Sequence, residues 1–184
     1  MHPYFFGYGS LVNRETHTYP DARPARLKGW RRSWIRTAKR EVVFLSVTPD
    51  ADTVIDGLIA SVPDADWRAL DAREFGYGRH DSRDAVIHDI MPAPEVAHYA
   101  IAPADQMAGG NHVILLSYLD VVVQGFLREY GVAGVTRFFE TTSGWDTPVR
   151  NDRENPGYSR FRAVTTEERK LVDDNLLRLS ARVE

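Results

Sequence analysis

The chain has 184 residues, 43% hydrophobic and 27% charged, with 23 Lys and Arg against 26 Asp and Glu, a formal net charge of −3 and no cysteine. That balance suits a folded chain with a real core, argues against disorder, and provides no whole-chain attraction to nucleic acid or to an anionic membrane. The lack of cysteine excludes disulfides, thiolate nucleophiles, zinc ribbons and iron–sulfur clusters, and leaves the compartment open on redox grounds. Met1 to Phe6 has no basic segment leading into an apolar stretch, so it does not read as a signal peptide. The most apolar window, Val113 to Val123, is interrupted by Ser117 and Asp120, so no membrane span is predicted. The expectation is one cytoplasmic domain over 1–184, with no membrane partner.

The first two-thirds reads as strands. Pro3 to Phe6 is short, aromatic and stopped by Gly7 and Gly9, as a strand entering a tight loop would be. Residues 14–25 carry two prolines and no periodicity, and read as a loop. Strands are predicted over Arg26 to Arg36, Val42 to Thr48, Thr53 to Val62, Ala85 to Met91 and Val96 to Ala102. Val54, Leu58, Ala60 and Val62 share one face of the third, and Ile55, Gly57 and Ile59 the other, which predicts cover on both sides. A helix over Asp64 to Glu74 is inserted among these strands. The predicted fold class is α+β: a small mixed β-barrel or curled sheet with surrounding helices.

The last third reads as helical. His112 to Tyr130 is apolar nearly all round, with a thin polar line at Ser117, Asp120, Gln124 and Arg128 that the pattern turns toward water. Gly131 suits a C-cap, and a short helix is predicted over Val135 to Thr141. Thr165-Thr166-Glu167-Glu168 forms a capping box opening an amphipathic helix whose inner face is Leu171, Val172, Asn175, Leu176 and Leu179. Trp145 to Arg162, polar and without a core pattern, reads as an ordered loop or flap.

Four constellations could carry chemistry. Gly7-Tyr8-Gly9-Ser10-Leu11 follows a buried strand; its glycines permit positive φ and let backbone N–H groups converge on an anion. The alternative is a plain tight turn. In the helix, Trp67, Leu70, Asp71 and Glu74 share one face, and Glu74 falls at the C-terminal end, where the helix dipole and partial burial both raise a carboxyl pKa. That is how a Glu becomes an acid/base near neutral pH; the alternative is a surface pairing with Arg73, Arg79 or Arg83. Asp71 reads as structural. The basic stretch Arg23 to Arg40, interleaved with Trp30 and Trp34, could be a nucleic-acid surface, but it carries no nucleic-acid motif and reads better as a solvated strand and turn. The histidines have no metal-ligand spacing, although His88 and His98 could approach one another; no metal and no cofactor are expected.

Phe5-Phe6-Gly7-Tyr8-Gly9-Ser10-Leu11, Leu27-Lys28-Gly29-Trp30-Arg31-Arg32, Asp56-Gly57-Leu58-Ile59-Ala60 and Leu70-Asp71-Ala72-Arg73-Glu74-Phe75-Gly76-Tyr77, in that order, resemble the γ-glutamylcyclotransferase superfamily. Arg73-Glu74 before Gly76-Tyr77, with Gly109-Gly110-Asn111 and Tyr118-Leu119, is closer to the glutathione-specific ChaC-like branch. The resemblance covers roughly residues 4–130. It implies a small-molecule γ-glutamyl substrate, release of 5-oxoproline, substrate binding by Tyr8, Gly9, Ser10 and Leu11, with Tyr118 nearby, and Glu74 as the catalytic acid/base. A non-catalytic γ-glutamyl-binding module on the same fold is the alternative. Trp145 to Arg162, through Arg150 and Arg153, is expected to border the pocket and select the amine side of the substrate.

Overall fold

In the computed structural model, which describes residues 2–184, the strands in chain order are β1 (Tyr4–Gly7), β2 (Arg23–Ile35), β3 (Phe44–Ser61), β4 (Gly78–Asp81), β5 (Val86–Ile87), β6 (Val96–Ala100), β7 (Ile114–Leu115), β8 (Thr142–Ser143) and β9 (Val149–Arg150). The helices are α1 (Arg68–Arg73), α2 (Leu116–Glu140) and α3 (Thr166–Arg178). The large sheet runs β4-β6-β1-β3-β2-β5, with β8 added to β2, and β7 pairs with β9 apart from it. β1 is antiparallel to β3 and parallel to β6, so its four residues are buried from both sides. Gly57 makes this crossing possible, because a Cβ there would collide with the Phe6 ring and the Gly7 carbonyl oxygen.

The two strands expected over 42–48 and 53–62 are one strand, β3. Pro49 and the Asp-Ala-Asp run after it look like a break in sequence, but the structure absorbs them as a bulge. The register jumps from Lys28↔Val54 to Trp30↔Pro49, leaving Gly29, at φ +82°, opposite four residues of β3. Asp50 ties the bulge together by accepting from Arg31 Nε at 2.9 Å and Thr53 Oγ1 at 2.8 Å. Such a bulge deepens the twist and curls the sheet into a half-barrel. β4, polar and exposed throughout, has no apolar alternation and is not expected from the sequence.

α1 is shorter than the predicted Asp64–Glu74. Pro63–Ala65 forms a 3₁₀ turn instead, and Glu74 caps the helix with its N–H on the Leu70 carbonyl at 2.9 Å. α2 begins at Leu116 rather than His112, because Ile114–Leu115 pairs with Val149–Arg150. At Gly131 the backbone leaves the helical region (φ +64°, ψ −170°) and then resumes as far as Glu140, so the predicted stop and second helix are a kink within one element. The capping box at Thr165 and Glu168 forms as expected.

Of the polar line on α2, Arg128 faces water as expected, but the other three residues do not. Ser117, Asp120 and Gln124 are 4%, 4% and 1% exposed, because residues 151–164 and α3 lie over them. Asp152 accepts from the Ser117 N–H at 2.7 Å and from its hydroxyl at 2.6 Å, and Gln124 Nε2 donates to the Ala163 carbonyl at 3.0 Å. Arg153 meets Asp120 in a fork, with bonds of 2.8 and 2.7 Å, and reaches Asp173 of α3 at 2.9 Å. Burial pushes the Asp120 carboxyl up and Arg153 pulls it back down. Arg153→Ala should therefore strand a buried carboxylate, a loss of about 3–5 kcal/mol. We expect the melting temperature at pH 7 to fall by roughly 10 °C. Lowering the pH should shrink the deficit, since protonation of Asp120 removes the unpaired charge; an equal deficit at every pH would assign the loss to packing alone.

Candidate active site

β1 delivers the chain at Gly7 into a 3₁₀ turn over Ser10–Val12, closed by the Val12 N–H on the Gly9 carbonyl at 3.0 Å and the Asn13 N–H on the Ser10 carbonyl at 3.1 Å. The Gly9 and Leu11 N–H groups have no acceptor among the described residues. Gly9 has φ −123°, so the positive φ expected from sequence is not the reason for glycine there. The reason is crowding: a Cβ would sit 2.7 Å from the Tyr118 hydroxyl oxygen and 3.3 Å from Leu45 Cδ2. Tyr8 and Leu11 turn their side chains into the core, with the Tyr8 hydroxyl donating to the Tyr99 carbonyl at 2.6 Å.

Against this loop the end of α1 brings Arg73 and Glu74. Arg73, 9% exposed, donates to the Thr16 carbonyl at 2.7 Å, to Thr16 Oγ1 at 3.0 Å and to Ser10 Oγ at 3.3 Å, and so ties α1 to the loop after β1. Its Nε lies 3.4 Å from Glu74 Oε1. Arg79 is occupied by Asp71, and Arg83 by Glu95. Asp71 also accepts from the Tyr99 hydroxyl at 2.5 Å, which makes it a structural carboxylate as expected. Burial pushes the Glu74 carboxyl above its ordinary value, while Arg73, then Arg160 and Arg40, pull it down.

Tyr118, in the first turn of α2, stands edge-on to Tyr158 at 5.0 Å and to Trp34 at 6.0 Å. Burial, then Tyr158 and Glu74, push its phenol pKa up, against the Ser10 N–H and Arg73. It remains a neutral donor near neutral pH.

Two adjoining cavities share Ser10, Leu45, Glu74, Tyr77 and Tyr118. The smaller, about 30 Å³, is lined by Gly7 to Leu11, and the larger, about 200 Å³, opens past Trp34, Arg40 and Gly157 to Arg160. Glu74 is the single carboxylate lining either one. The flap expected over 145–162 does border the larger cavity, but through Gly157–Arg160. Arg150 is exposed on β9, and Arg153 is turned the other way and held by Asp120 and Asp173, so neither lines it. Arg160 and Arg40 stand in their place, and no carboxylate pairs with either among the described residues. Sequence spacing could not separate Arg160 from its neighbours Arg150, Arg153 and Arg162, because a loop has no periodicity to read.

No known family and no curated protein matches the sequence. Solved structures do match. One titled γ-glutamyl cyclotransferase is 11% identical at TM-score 0.57, over 95% of this chain and 99% of that one. An uncharacterized protein from Homo sapiens is 13% identical at TM-score 0.58, over 92% and 97%. YkqA from Bacillus subtilis is 17% identical at TM-score 0.57, over 78% of this chain and 56% of that one. The fold is γ-glutamyl cyclotransferase-like.

The remaining candidate residues lie outside the two cavities of this cyclotransferase-like fold. His98 is buried and stacked on His80 at 5.4 Å, not on His88, and burial holds its pKa down at about 4. Of the basic stretch, Arg31 pairs with Asp50, Lys39 with Asp105 and Arg23 with Asp21 and Asp89, whereas Arg32 is wholly buried. Among the described residues no helix is long and apolar enough to cross a membrane, and no three His, Asp or Glu side chains gather as metal ligands would.

Proposed function

We propose that the protein is a γ-glutamylcyclotransferase, nearest the glutathione-specific ChaC-like branch, which converts a γ-glutamyl amide such as glutathione or a γ-glutamyl amino acid into 5-oxoproline and a free amine. The observation that carries this is the single carboxylate, Glu74, common to both cavities and facing a loop with free backbone N–H groups. The substrate contains its own nucleophile. Its α-ammonium gives a proton to Glu74, and the amine nitrogen attacks the γ-carbonyl carbon. As the tetrahedral species collapses, Glu74 returns that proton to the leaving nitrogen and the bond to it breaks. The second proton of the ring nitrogen passes through the freed Glu74 carboxylate to the released amine, which departs as an ammonium. One carboxyl group serves these transfers, and its raised pKa suits the return of the proton. Holding the chain curled supplies much of the remaining acceleration, since the attack is intramolecular.

The Tyr8, Gly9, Ser10 and Leu11 loop acts on the substrate's α-carboxylate through its free Gly9 and Leu11 N–H groups. Tyr118, which takes the Ser10 N–H, bounds the reacting end as a neutral hydroxyl. Arg40 and Arg160 lie on the leaving-amine side, where two guanidinium groups suit a second carboxylate. Arg160→Gln with Arg40→Gln should raise KM roughly 10–100-fold for substrates whose leaving amine carries a carboxylate, the usual value of a charged hydrogen bond. Assayed at a pH above the acid limb, γ-glutamyl methylamide should keep its wild-type KM. Equal effects on both substrates would remove the two arginines from recognition.

The test is incubation with glutathione and a panel of γ-glutamyl amides, with 5-oxoproline detected by mass. Binding of these compounds without release of 5-oxoproline would favour a non-catalytic binding module on the same fold.

A further inference from the structure

Arg32 lies in the second half of β2 with no exposed surface, the largest wholly buried side chain among the described residues. Burying a guanidinium is costly, and apolar side chains of similar size often serve stability better, so its retention calls for a use. No carboxylate pairs with it directly; the carboxylate of Asp56 is taken by Arg137 at 2.7 Å. Arg32 instead spends its fork on uncharged oxygens. Nε donates to the Tyr8 carbonyl at 2.9 Å, Nη1 to Thr141 Oγ1 at 2.8 Å and Nη2 to the Asp56 carbonyl. The guanidinium carbon rests 4.8 Å from the Phe126 ring centre and 5.2 Å from that of Phe138. Burial lowers its pKa to about 9, which leaves it cationic near neutral pH.

The Tyr8 carbonyl belongs to the peptide that joins Tyr8 to Gly9. That peptide is trans, Met91–Pro92 being the cis bond of the described chain. A planar trans peptide points its C=O and N–H in opposite directions. Fixing the oxygen on the Arg32 side therefore fixes the Gly9 N–H on the far side. Gly9 lines the smaller cavity with Glu74 and Tyr118, and no acceptor among the described residues takes its N–H. A cationic donor on the carbonyl also polarises the peptide and strengthens the N–H as a donor.

We propose that Arg32 is a positioning residue: from within the core it locks the Tyr8–Gly9 peptide so that the Gly9 N–H stands in the cavity as a donor to a ligand carboxylate. The identity of that ligand rests on the cyclotransferase assignment; the orientation of the donor does not. Arg32→Met keeps bulk without the fork, and Arg32→Lys keeps charge without the planar Nε donor.

The experiment follows the Gly9 amide in ¹⁵N–¹H spectra while 5-oxo-L-proline is titrated, alongside melting temperatures and steady-state kinetics of the same samples. In wild type the Gly9 amide should shift on binding. In both variants that shift should be lost and KM for the γ-glutamyl substrate should rise at least ~10-fold, while kcat changes less than ~3-fold, because the donor serves ground state and transition state alike. A variant that melts lower yet keeps the wild-type Gly9 response and KM would make Arg32 purely structural and overturn the proposal. A wild-type Gly9 amide indifferent to saturating 5-oxo-L-proline would overturn it without any variant, even if both substitutions prevent folding. If the Gly9 response is present and depends on Arg32 but no γ-glutamyl amide is turned over, the cyclotransferase assignment fails and the role of Arg32 stands.

Discussion

Glu74→Gln should fold as wild type, bind substrate with similar KM, and lose at least ~100-fold in kcat, the usual consequence of removing a general acid/base. Glutamine matches the shape, and the Arg73 guanidinium still has an oxygen to meet at the 3.4 Å separation of the native pair. What disappears is the capacity to accept and return a proton. The pH profile gives a second, independent reading. Glu74 must be ionised to take the ammonium proton, so activity should fall as pH drops through its pKa. Burial places that acid limb above the ordinary glutamate value, with Arg73, Arg160 and Arg40 limiting the rise. Replacing Arg160 by Gln should move the limb to higher pH. A Glu74→Gln enzyme within a few-fold of wild type would take Glu74 out of the chemistry.

Gly9→Val should reduce kcat/KM by at least ~100-fold, chiefly through KM, because the displaced N–H groups hold the substrate's α-carboxylate in ground and transition state alike. Even one Cβ at this position meets the Tyr118 hydroxyl oxygen at 2.7 Å. Tyr118 cannot swing aside freely, because its ring is gripped between Trp34 and Tyr158. The loop must move instead, and its N–H groups move with it. Gly9→Ala should fall between Val and wild type. Combining Gly9→Ala with Tyr118→Phe, which deletes the colliding oxygen, should cost less than the two changes added, since the pair shares one contact. Ser10→Ala should lose less than ~10-fold, as its hydroxyl accepts only a long 3.3 Å bond from Arg73. The reverse ranking, with Ser10→Ala inactive and Gly9→Val active, would point to an acyl-serine mechanism.

Much of this site is legible in sequence for local reasons. An aromatic strand running into two glycines announces a loop beside the core, and the i, i+3, i+4, i+7 spacing ending at Glu74 places a carboxylate at the edge of a buried face. What escapes is settled by residues far apart in the chain. The thin polar line on α2 is the pattern of a water-facing stripe, yet Asp120 meets Arg153 across 33 residues and Gln124 meets Ala163 across 39. Periodicity reports that a face is polar, not what covers it. The same cover decides the arginines: once Asp120 and Asp173 hold Arg153, only Arg160 of that loop stays at the cavity. Pro49 reads as a breaker and divides β3 in two, whereas a bulge opposite Gly29 accommodates it. Arg32 looks like one member of a basic stretch, and nothing local separates a wholly buried guanidinium from its solvated neighbour Arg31.

The central claim is that the substrate's own α-amine, and not water, displaces the leaving amine at the γ-carbonyl. Turnover of glutathione, or whichever γ-glutamyl amide is most active, in ¹⁸O-enriched water tests it directly by the mass of the product. Intramolecular attack gives 5-oxoproline that keeps the original γ-carbonyl oxygen, together with the free amine and no label. Glutamate carrying ¹⁸O in its γ-carboxylate would mean that water is the nucleophile, and would contradict the account.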